Sequence, residues 1–207
     1  MTKPIILLDM DAVLFDFHNG LRDRVIEDAR VRGYETQIPG EFETWSLFTE
    51  HEETDRAISN VLNSQRFFAE LEPMPGAIEA VHTLRETATV FFCSTPFHTN
   101  PHCAEDKAYS LNKAFGLGSS QSLILTSDKT VVMGDVLVDD RPGISGALYP
   151  AWTQIYFTHL YNKNEQGARI DNWNGLNVDF VEAVAWMESQ RRGFYHDKRL
   201  VKEVADA

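Results

Sequence analysis

The sequence feature that most constrains the fold of this chain is a set of short, continuous apolar runs rich in branched side chains. Such runs are typical of strands buried on both faces of a parallel sheet. Helix-like patterns lie between most of them, and strands that alternate with helices indicate an α/β fold with a parallel sheet. The predicted strands are residues 5–8, 89–93, 122–126, 136–138 and 153–157, and the predicted helices follow Pro75-Gly76 and cover 104–115 and about 177–191.

The segment between the first and second predicted strands is too long for a simple crossover. It covers residues 16–74 and is polar, acidic and helix-like. Its apolar residues are mainly Phe42, Trp45, Phe48, Phe67 and Phe68. We therefore predict a small helical cap at 16–74, inserted after the first strand of a core formed by residues 1–15 and 75–207. A length of 207 residues fits one domain with such an insertion.

Composition and charge exclude several classes of function. The chain has 19 Lys and Arg against 31 Asp and Glu, a net charge of −12, which argues against a nucleic-acid polymer as partner. Cys93 and Cys103 are too few for a disulfide scaffold. The first apolar run is too short for a signal peptide or a membrane span. We predict a cytoplasmic protein without a membrane partner, whose charged tail at 190–207 forms a solvated helix; a partner contact is the alternative.

Two pairs of acids follow directly after predicted strands. Asp9 and Asp11 close the first strand, and Asp139 and Asp140 close the fourth. Ligands bind at the carboxyl ends of parallel strands, where the two pairs converge if their strands are neighbours. An all-oxygen cluster of this kind suits Mg²⁺. A calcium loop of the EF-hand type fits poorly, because residues 13–15 are apolar where it needs polar ligands and a glycine.

Hydroxyl groups and a lysine occur near the ends of two further strands. Ser94 and Thr95 follow the second strand and are suited to hold phosphoryl oxygens; an ordinary helix cap is the alternative. Lys129 precedes the fourth strand and can neutralise a phosphate; a solvated surface lysine is the alternative.

The order of these groups, acid pair, hydroxyl, lysine and acid pair, resembles the haloacid dehalogenase superfamily of aspartyl phosphotransferases. The match covers residues 5–141. Longer segments at 9–17, 67–77, 125–132 and 139–142 are similar to the 5′(3′)-deoxyribonucleotidases. This resemblance implies a Rossmann-like core with a small helical cap, dependence on Mg²⁺, and hydrolysis of nucleoside monophosphates, usually pyrimidine deoxynucleotides.

The resemblance also implies a role for individual residues. Asp9 would be the nucleophile and Asp11 the general acid and base. The metal ligands would be Asp9, Asp140 and the backbone carbonyl of Asp11, whereas Asp139 would orient the lysine or a metal-bound water. The phosphate would be held by Ser94, Thr95 and Lys129, and the nucleoside by Phe17, Trp45 and Lys107. For Trp45, a place in the core of the cap is an equal alternative.

Departures from the family pattern keep other readings open. Ser127 stands where the mammalian-type members carry an arginine, and Thr44 and Ser46 flank Trp45 where an aromatic residue and a valine are expected. A phosphatase of the same superfamily acting on a sugar phosphate is therefore the alternative, and a non-hydrolytic phospho-acceptor module is a third hypothesis. The sequence permits a homodimer.

A zinc site is considered at His98, His102 and Cys103, although their spacing matches no strong zinc pattern.

Overall fold

The computed structural model describes the backbone of residues 3–205 and the side chains of residues 3–191. Within them, six parallel strands form one sheet in the order β3-β2-β1-β4-β5-β6. This is the α/β fold that the sequence predicted, with a Rossmann-like strand order. The strands are β1 (Ile5–Leu8), β2 (Thr89–Ser94), β3 (Leu123–Leu125), β4 (Val136–Asp139), β5 (Thr153–Phe157) and β6 (Ala168–Ile170).

The central strands explain the continuous apolar runs. In β1, Ile6 and Leu8 pack into the core on one face of the sheet, and Leu7 packs into a second cluster on the other. All three are fully buried. Because successive side chains of a strand point to opposite faces, a strand covered on both sides has no position left for a polar residue.

The edges of the sheet depart from the prediction. The run at 122–126 was expected to be fully buried, but β3 is an edge strand and its residues are only partly buried. Strand β6 was not predicted, because Ala168-Arg169-Ile170 contains no apolar run. Edge strands have one neighbouring strand instead of two and are less buried, so fewer of their positions need an apolar residue.

Three helices contribute buried residues to the same core as Ile6 and Leu8: α3 (Ala77–Thr87), α4 (Cys103–Phe115) and α5 (Gly175–Ala205). The cluster around Leu7, on the other face, is completed by Cys93, Leu137 and Trp152. Helix α3 follows Gly76, whose φ is 81°. A Cβ at this position would lie 2.8 Å from the carbonyl oxygen of Trp173, so both the backbone conformation and the close approach require glycine. The backbone of the predicted tail helix is helical to Ala205, but its side chains after Arg191 lie outside the described residues, so its solvation stays a prediction.

Between β1 and β2 the chain forms two further helices, α1 (Phe17–Arg32) and α2 (Glu52–Leu62), which pack against each other. Asp16 caps α1 by accepting from the backbone N–H of Asn19. The Asn100 amide, on the core side, donates to the carbonyl oxygens of Leu62 and Ser64 at 2.9 and 3.1 Å. We propose residues 16–74 as a cap unit and residues 1–15 and 75–207 as the core that carries it.

No helix in the described part of the chain is both long enough and apolar enough to span a lipid bilayer.

Candidate active site

The register of the three central strands brings the two acid pairs together. Leu8 pairs with Val138 of β4, so the residues that follow them, Asp9 and Asp139, are neighbours at the same edge of the sheet. Asp9, Asp139 and Asp140 are all buried, and each offers a carboxylate oxygen within 4.8 Å of the others. Asp9 thus meets the second acid pair because β1 and β4 pair in parallel, and Asp11 lines the same cavity as Asp9 and Asp140.

Lys129 lies within this acidic group. Its Nζ is 2.8 Å from Asp9 Oδ1 and also pairs with Asp139 Oδ2. It is 6% exposed, so the alternative of a solvated surface lysine is wrong. Burial by itself lowers the pKa of Lys129, but the carboxylates of Asp139 and Asp9 outweigh burial and raise it. The lysine is therefore a permanent positive charge at the sheet edge.

One lysine leaves the acidic group with excess negative charge. The pKa of Asp140 is raised well above its usual value, first by burial and then by the carboxylates of Asp139 and Asp9. Burial, partly offset by Lys129, also raises the pKa of Asp139. A divalent cation would remove this repulsion. Buried carboxylate oxygens in one cluster are the donors that Mg²⁺ prefers, so these residues fit that ion.

Ser94 and Asp11 are joined by a buried cation. Lys107, on α4, is fully buried and donates to Asp11 Oδ2 at 2.5 Å and to Ser94 Oγ at 3.0 Å. Burial raises the pKa of Asp11, and Lys107 partly opposes this effect. The resemblance implied a lysine that closes over the substrate; here Lys107 pairs with Asp11 and lies outside the lining of the cavity that holds Asp11. Its contact with substrate stays a prediction.

The alternative of a helix cap at Ser94 and Thr95 is wrong, because the next helix along the chain, α4, begins eight residues later with His102 at its N-cap. Thr95 is exposed and Ser94 is buried at the end of β2. Both hydroxyl-bearing residues line the same cavity as Asp9.

The loop after β1 is held in an unusual conformation. Ala12 has a φ of 59°, which is uncommon for a residue with a Cβ. Its N–H donates to the Phe15 carbonyl, and its own carbonyl accepts from His159 Nε2 at 2.7 Å. The Trp173 indole donates to the carbonyl of Val13. These contacts turn the chain sharply after the strand and keep Asp9 and Asp11 on the same side.

A cavity of about 340 Å³ lies above the acidic group. Eight of the predicted site residues line it: Asp9, Asp11, Phe17, Trp45, Ser94, Thr95, Lys129 and Asp140. Trp45 is 48% exposed, so the alternative that it belongs to the core of the cap is wrong. Phe17 is largely buried against Phe67 and Phe68 and also lines the cavity.

Sequence reasoning missed the residues that follow β5. Tyr161 lines the cavity and its hydroxyl donates to Asp140 Oδ2. His18, on the cap side of the cavity, packs against Tyr161 and His159. The signal that found the other site residues, polar side chains directly after a strand, also applies to the segment 158–162 and could have found Tyr161.

Two predicted features lie elsewhere. Ser127 is exposed outside the lining of the cavity. Within residues 3–191, the structure does not bring His98, His102 and Cys103 within metal-ligand reach of one another. Cys103 Sγ instead accepts from the backbone N–H of Phe97, so the zinc hypothesis is not supported by the geometry.

Comparison with known proteins identifies the family of the chain. Residues 3–186 match the family model described as "5′ nucleotidase, deoxy (Pyrimidine), cytosolic type C protein". The human mitochondrial 5′(3′)-deoxyribonucleotidase is 35% identical over 176 residues, which are 78% of this chain and 73% of that protein. The human cytosolic type is 34% identical over 173 residues, which are 77% of this chain and 82% of that protein.

A solved structure of a haloacid dehalogenase-like hydrolase from Burkholderia xenovorans LB400 has the same fold. It aligns with a TM-score of 0.55 at 16% identity and covers 88% of this chain and 96% of its own. The predicted nucleotidase family and enzyme class, a phosphoric monoester hydrolase, are confirmed, and the hypothesis of a non-hydrolytic phospho-acceptor module is not supported. The chain belongs to the family described as "5′ nucleotidase, deoxy (Pyrimidine), cytosolic type C protein", and it has the fold of a haloacid dehalogenase-like hydrolase.

Proposed function

We propose that this protein hydrolyses deoxyribonucleoside monophosphates, pyrimidine ones in particular, to nucleoside and phosphate, with Mg²⁺ as cofactor and Asp9 as nucleophile. The observation that carries the proposal is the buried group of Asp9, Asp139 and Asp140 around Lys129 at the floor of a cavity. Its acidic oxygens suit a divalent cation, and its lysine suits a phosphate. The two human relatives are named as 5′(3′)-deoxyribonucleotidases.

Mg²⁺ would be held by Asp9, Asp140 and the backbone carbonyl of Asp11. When bound there, it would supply positive charge that offsets the repulsion between the Asp9 carboxylate and the phosphate. Ser94, Thr95 and Lys129 would hold the phosphoryl oxygens, and so stabilise charge that spreads over them in the transition state. Asp139 accepts from Lys129 and from the backbone N–H of Arg141, which supports an orienting role for it.

The reaction would proceed in two displacements. In the first, an Asp9 oxygen attacks phosphorus while the bond from phosphorus to the sugar oxygen breaks, and Asp11 gives its proton to that oxygen. In the second, water gives a proton to Asp11 and attacks phosphorus, so the bond to Asp9 breaks and phosphate leaves. The raised pKa of Asp11 supports the acid role, because an acid must hold its proton until the leaving group needs it.

The nucleoside would occupy the part of the cavity nearest the cap. Trp45, half-exposed, and Phe17 offer aromatic surface there. Stacking of a base on an aromatic ring contributes about 1–3 kcal/mol, which would appear mainly in KM.

Both cysteines are buried and unpaired, which supports the proposed cytoplasmic location.

The decisive test is release of free phosphate from dUMP, dTMP, dCMP and dGMP, with and without Mg²⁺, beside a panel of sugar phosphates. We expect Mg²⁺-dependent release, fastest from the pyrimidine nucleotides. Asp9→Asn, shown to be folded by circular dichroism, is the matched control and should lose at least about 10⁴-fold in rate. Strong turnover of sugar phosphates with weak turnover of nucleotides would instead favour the alternative substrate class, and full activity of Asp9→Asn would refute the mechanism.

A further inference from the structure

Tyr161 connects two parts of the cavity that otherwise belong to different segments of the chain. Its hydroxyl donates to Asp140 Oδ2. Its ring lies edge-on to Trp45, with centroids 5.4 Å apart and an interplanar angle of 77°. The residue therefore contacts both a proposed metal ligand of the core and a proposed wall of the nucleoside pocket.

The position of Tyr161 is set by several independent contacts. Its ring stacks on His159 at 5.2 Å and 17°, and His159 is anchored by its bond to the Ala12 carbonyl. The next residue, Asn162, is fully buried and donates to the backbone carbonyls of Asp140 and Phe157 at 2.7 and 2.8 Å. The loop after β5 is thus tied to the ends of β4 and β5, and the phenol has little freedom to leave Asp140.

The chemistry of the bond favours metal binding. A phenol hydroxyl that donates to one oxygen of a carboxylate fixes the rotation of that carboxylate. A carboxylate has two oxygens and about four lone-pair sites, so a bond at Oδ2 leaves acceptor positions for a cation. Such outer-shell partners fix the orientation of the ligand, and their loss typically costs about 10–100-fold in metal affinity or activity.

We propose that Tyr161 is a positioning residue, which holds Asp140 correctly oriented for the divalent cation through its hydroxyl, and supports Trp45 through its ring. This inference rests on the proposed function, since it assigns Asp140 to the metal. The proposal assigns the contact with Asp140 to the hydroxyl and the contact with Trp45 to the ring, so each role can be tested by its own substitution.

Direct binding of Mn²⁺, measured by the electron paramagnetic resonance of the free ion, is the first readout and requires no turnover. Tyr161→Phe removes the hydroxyl and keeps the ring, so we expect its Kd for Mn²⁺ to rise by about tenfold or more. Tyr149→Phe is the matched control, because Tyr149 is 99% exposed, and its Kd should equal that of the wild type. Equal Kd values for Tyr161→Phe and wild type would overturn the assignment of the hydroxyl.

The second readout is KM for the nucleotide at saturating Mg²⁺. We expect Tyr161→Phe to keep the wild-type KM, because the contact with Trp45 remains. Tyr161→Ala should raise both KM and the Kd for Mn²⁺, whereas Trp45→Ala should raise KM alone. A KM for Tyr161→Phe as high as that of Tyr161→Ala would show that the hydroxyl serves the substrate, and would overturn the proposal.

A third measurement keeps the proposal testable if Tyr161→Phe does not fold. Mg²⁺ added to the wild-type protein should perturb the ultraviolet absorption of a tyrosine, because the charge on its acceptor changes, and Tyr149→Phe should retain this change. Absence of the change in a wild type that binds Mn²⁺ overturns the role of Tyr161 alone. A wild type that binds no Mn²⁺ overturns the proposed metal site together with it.

Discussion

The buried lysine at the floor of the cavity allows a quantitative test of how this site is stabilised. Lys129→Met replaces the cation by an apolar side chain of similar length and leaves Asp9 and Asp139 buried without it. The Nζ atom is 2.8 Å from one carboxylate and 2.5 Å from the other. At an effective dielectric constant of about 20, each attraction is about 6–7 kcal/mol before desolvation is counted.

Desolvation of the three charges offsets most of that attraction, so the net effect is much smaller than the sum. Removing one partner of a buried ion pair typically costs about 3–5 kcal/mol, because it leaves an uncompensated charge. We therefore expect Lys129→Met to lower the free energy of unfolding by about 3–5 kcal/mol in the absence of divalent metal. Since the lost cation is also the proposed phosphate ligand, turnover should be abolished as well.

The assay is urea unfolding near pH 7 with EDTA, followed by circular dichroism, in a double-mutant cycle with Asp139→Asn. We expect the double variant to be more stable than the sum of the single losses predicts, with a coupling of about 2–3 kcal/mol. Lys113→Met is the matched control, because Lys113 is exposed on α4, and it should change stability by less than about 0.5 kcal/mol. A loss below about 1 kcal/mol for Lys129→Met, or strict additivity in the cycle, would refute this reasoning.

Three further predictions follow from burial and backbone geometry. Burial and neighbouring carboxylates raise the pKa of Asp140, so its ionisation destabilises the metal-free protein as the pH rises above about 4. Asp140→Asn should therefore raise the free energy of unfolding near pH 7 by at least about 1 kcal/mol and abolish Mn²⁺ binding; lower stability of the variant would contradict this. Burial, with a smaller effect of a nearby imidazole, lowers the pKa of His18 to about 4. As the pH falls, the unfolded chain therefore binds a proton at His18 before the folded protein does. Between pH 7 and pH 5 the free energy of unfolding of the wild type should fall by about 1–2 kcal/mol relative to that of His18→Gln, measured by urea titration. Gly76→Ala should lower the free energy of unfolding by about 1–3 kcal/mol in the same assay, because of the positive φ of residue 76 and the contact of the added Cβ with Trp173. Gly40→Ala, where a Cβ meets nothing within 4 Å, should be unchanged, and equal effects at the two glycines would count against the explanation.

Local sequence patterns predicted much of the fold and of the acidic group at the floor of the cavity. A strand buried on both faces needs an unbroken apolar run, and the acids at its end stand out against that run, as at Asp9 and Asp139. Lys129 was found in the same way, although its burial was not expected as the default for a single lysine. The edge strands were predicted less well, because partial exposure relaxes the pattern that identifies them.

What the sequence by itself determined is the order of strands and helices along the chain and the polar groups that end them, because both depend on neighbouring residues. The tertiary structure decided which distant groups meet: Lys107 reaches Asp11 across 96 residues, and His159 reaches Ala12 across 147. It also decided that Trp45 faces the cavity and that Tyr161 donates to Asp140. Such contacts depend on the register of the sheet and on the packing of the cap, which no local pattern of residues encodes.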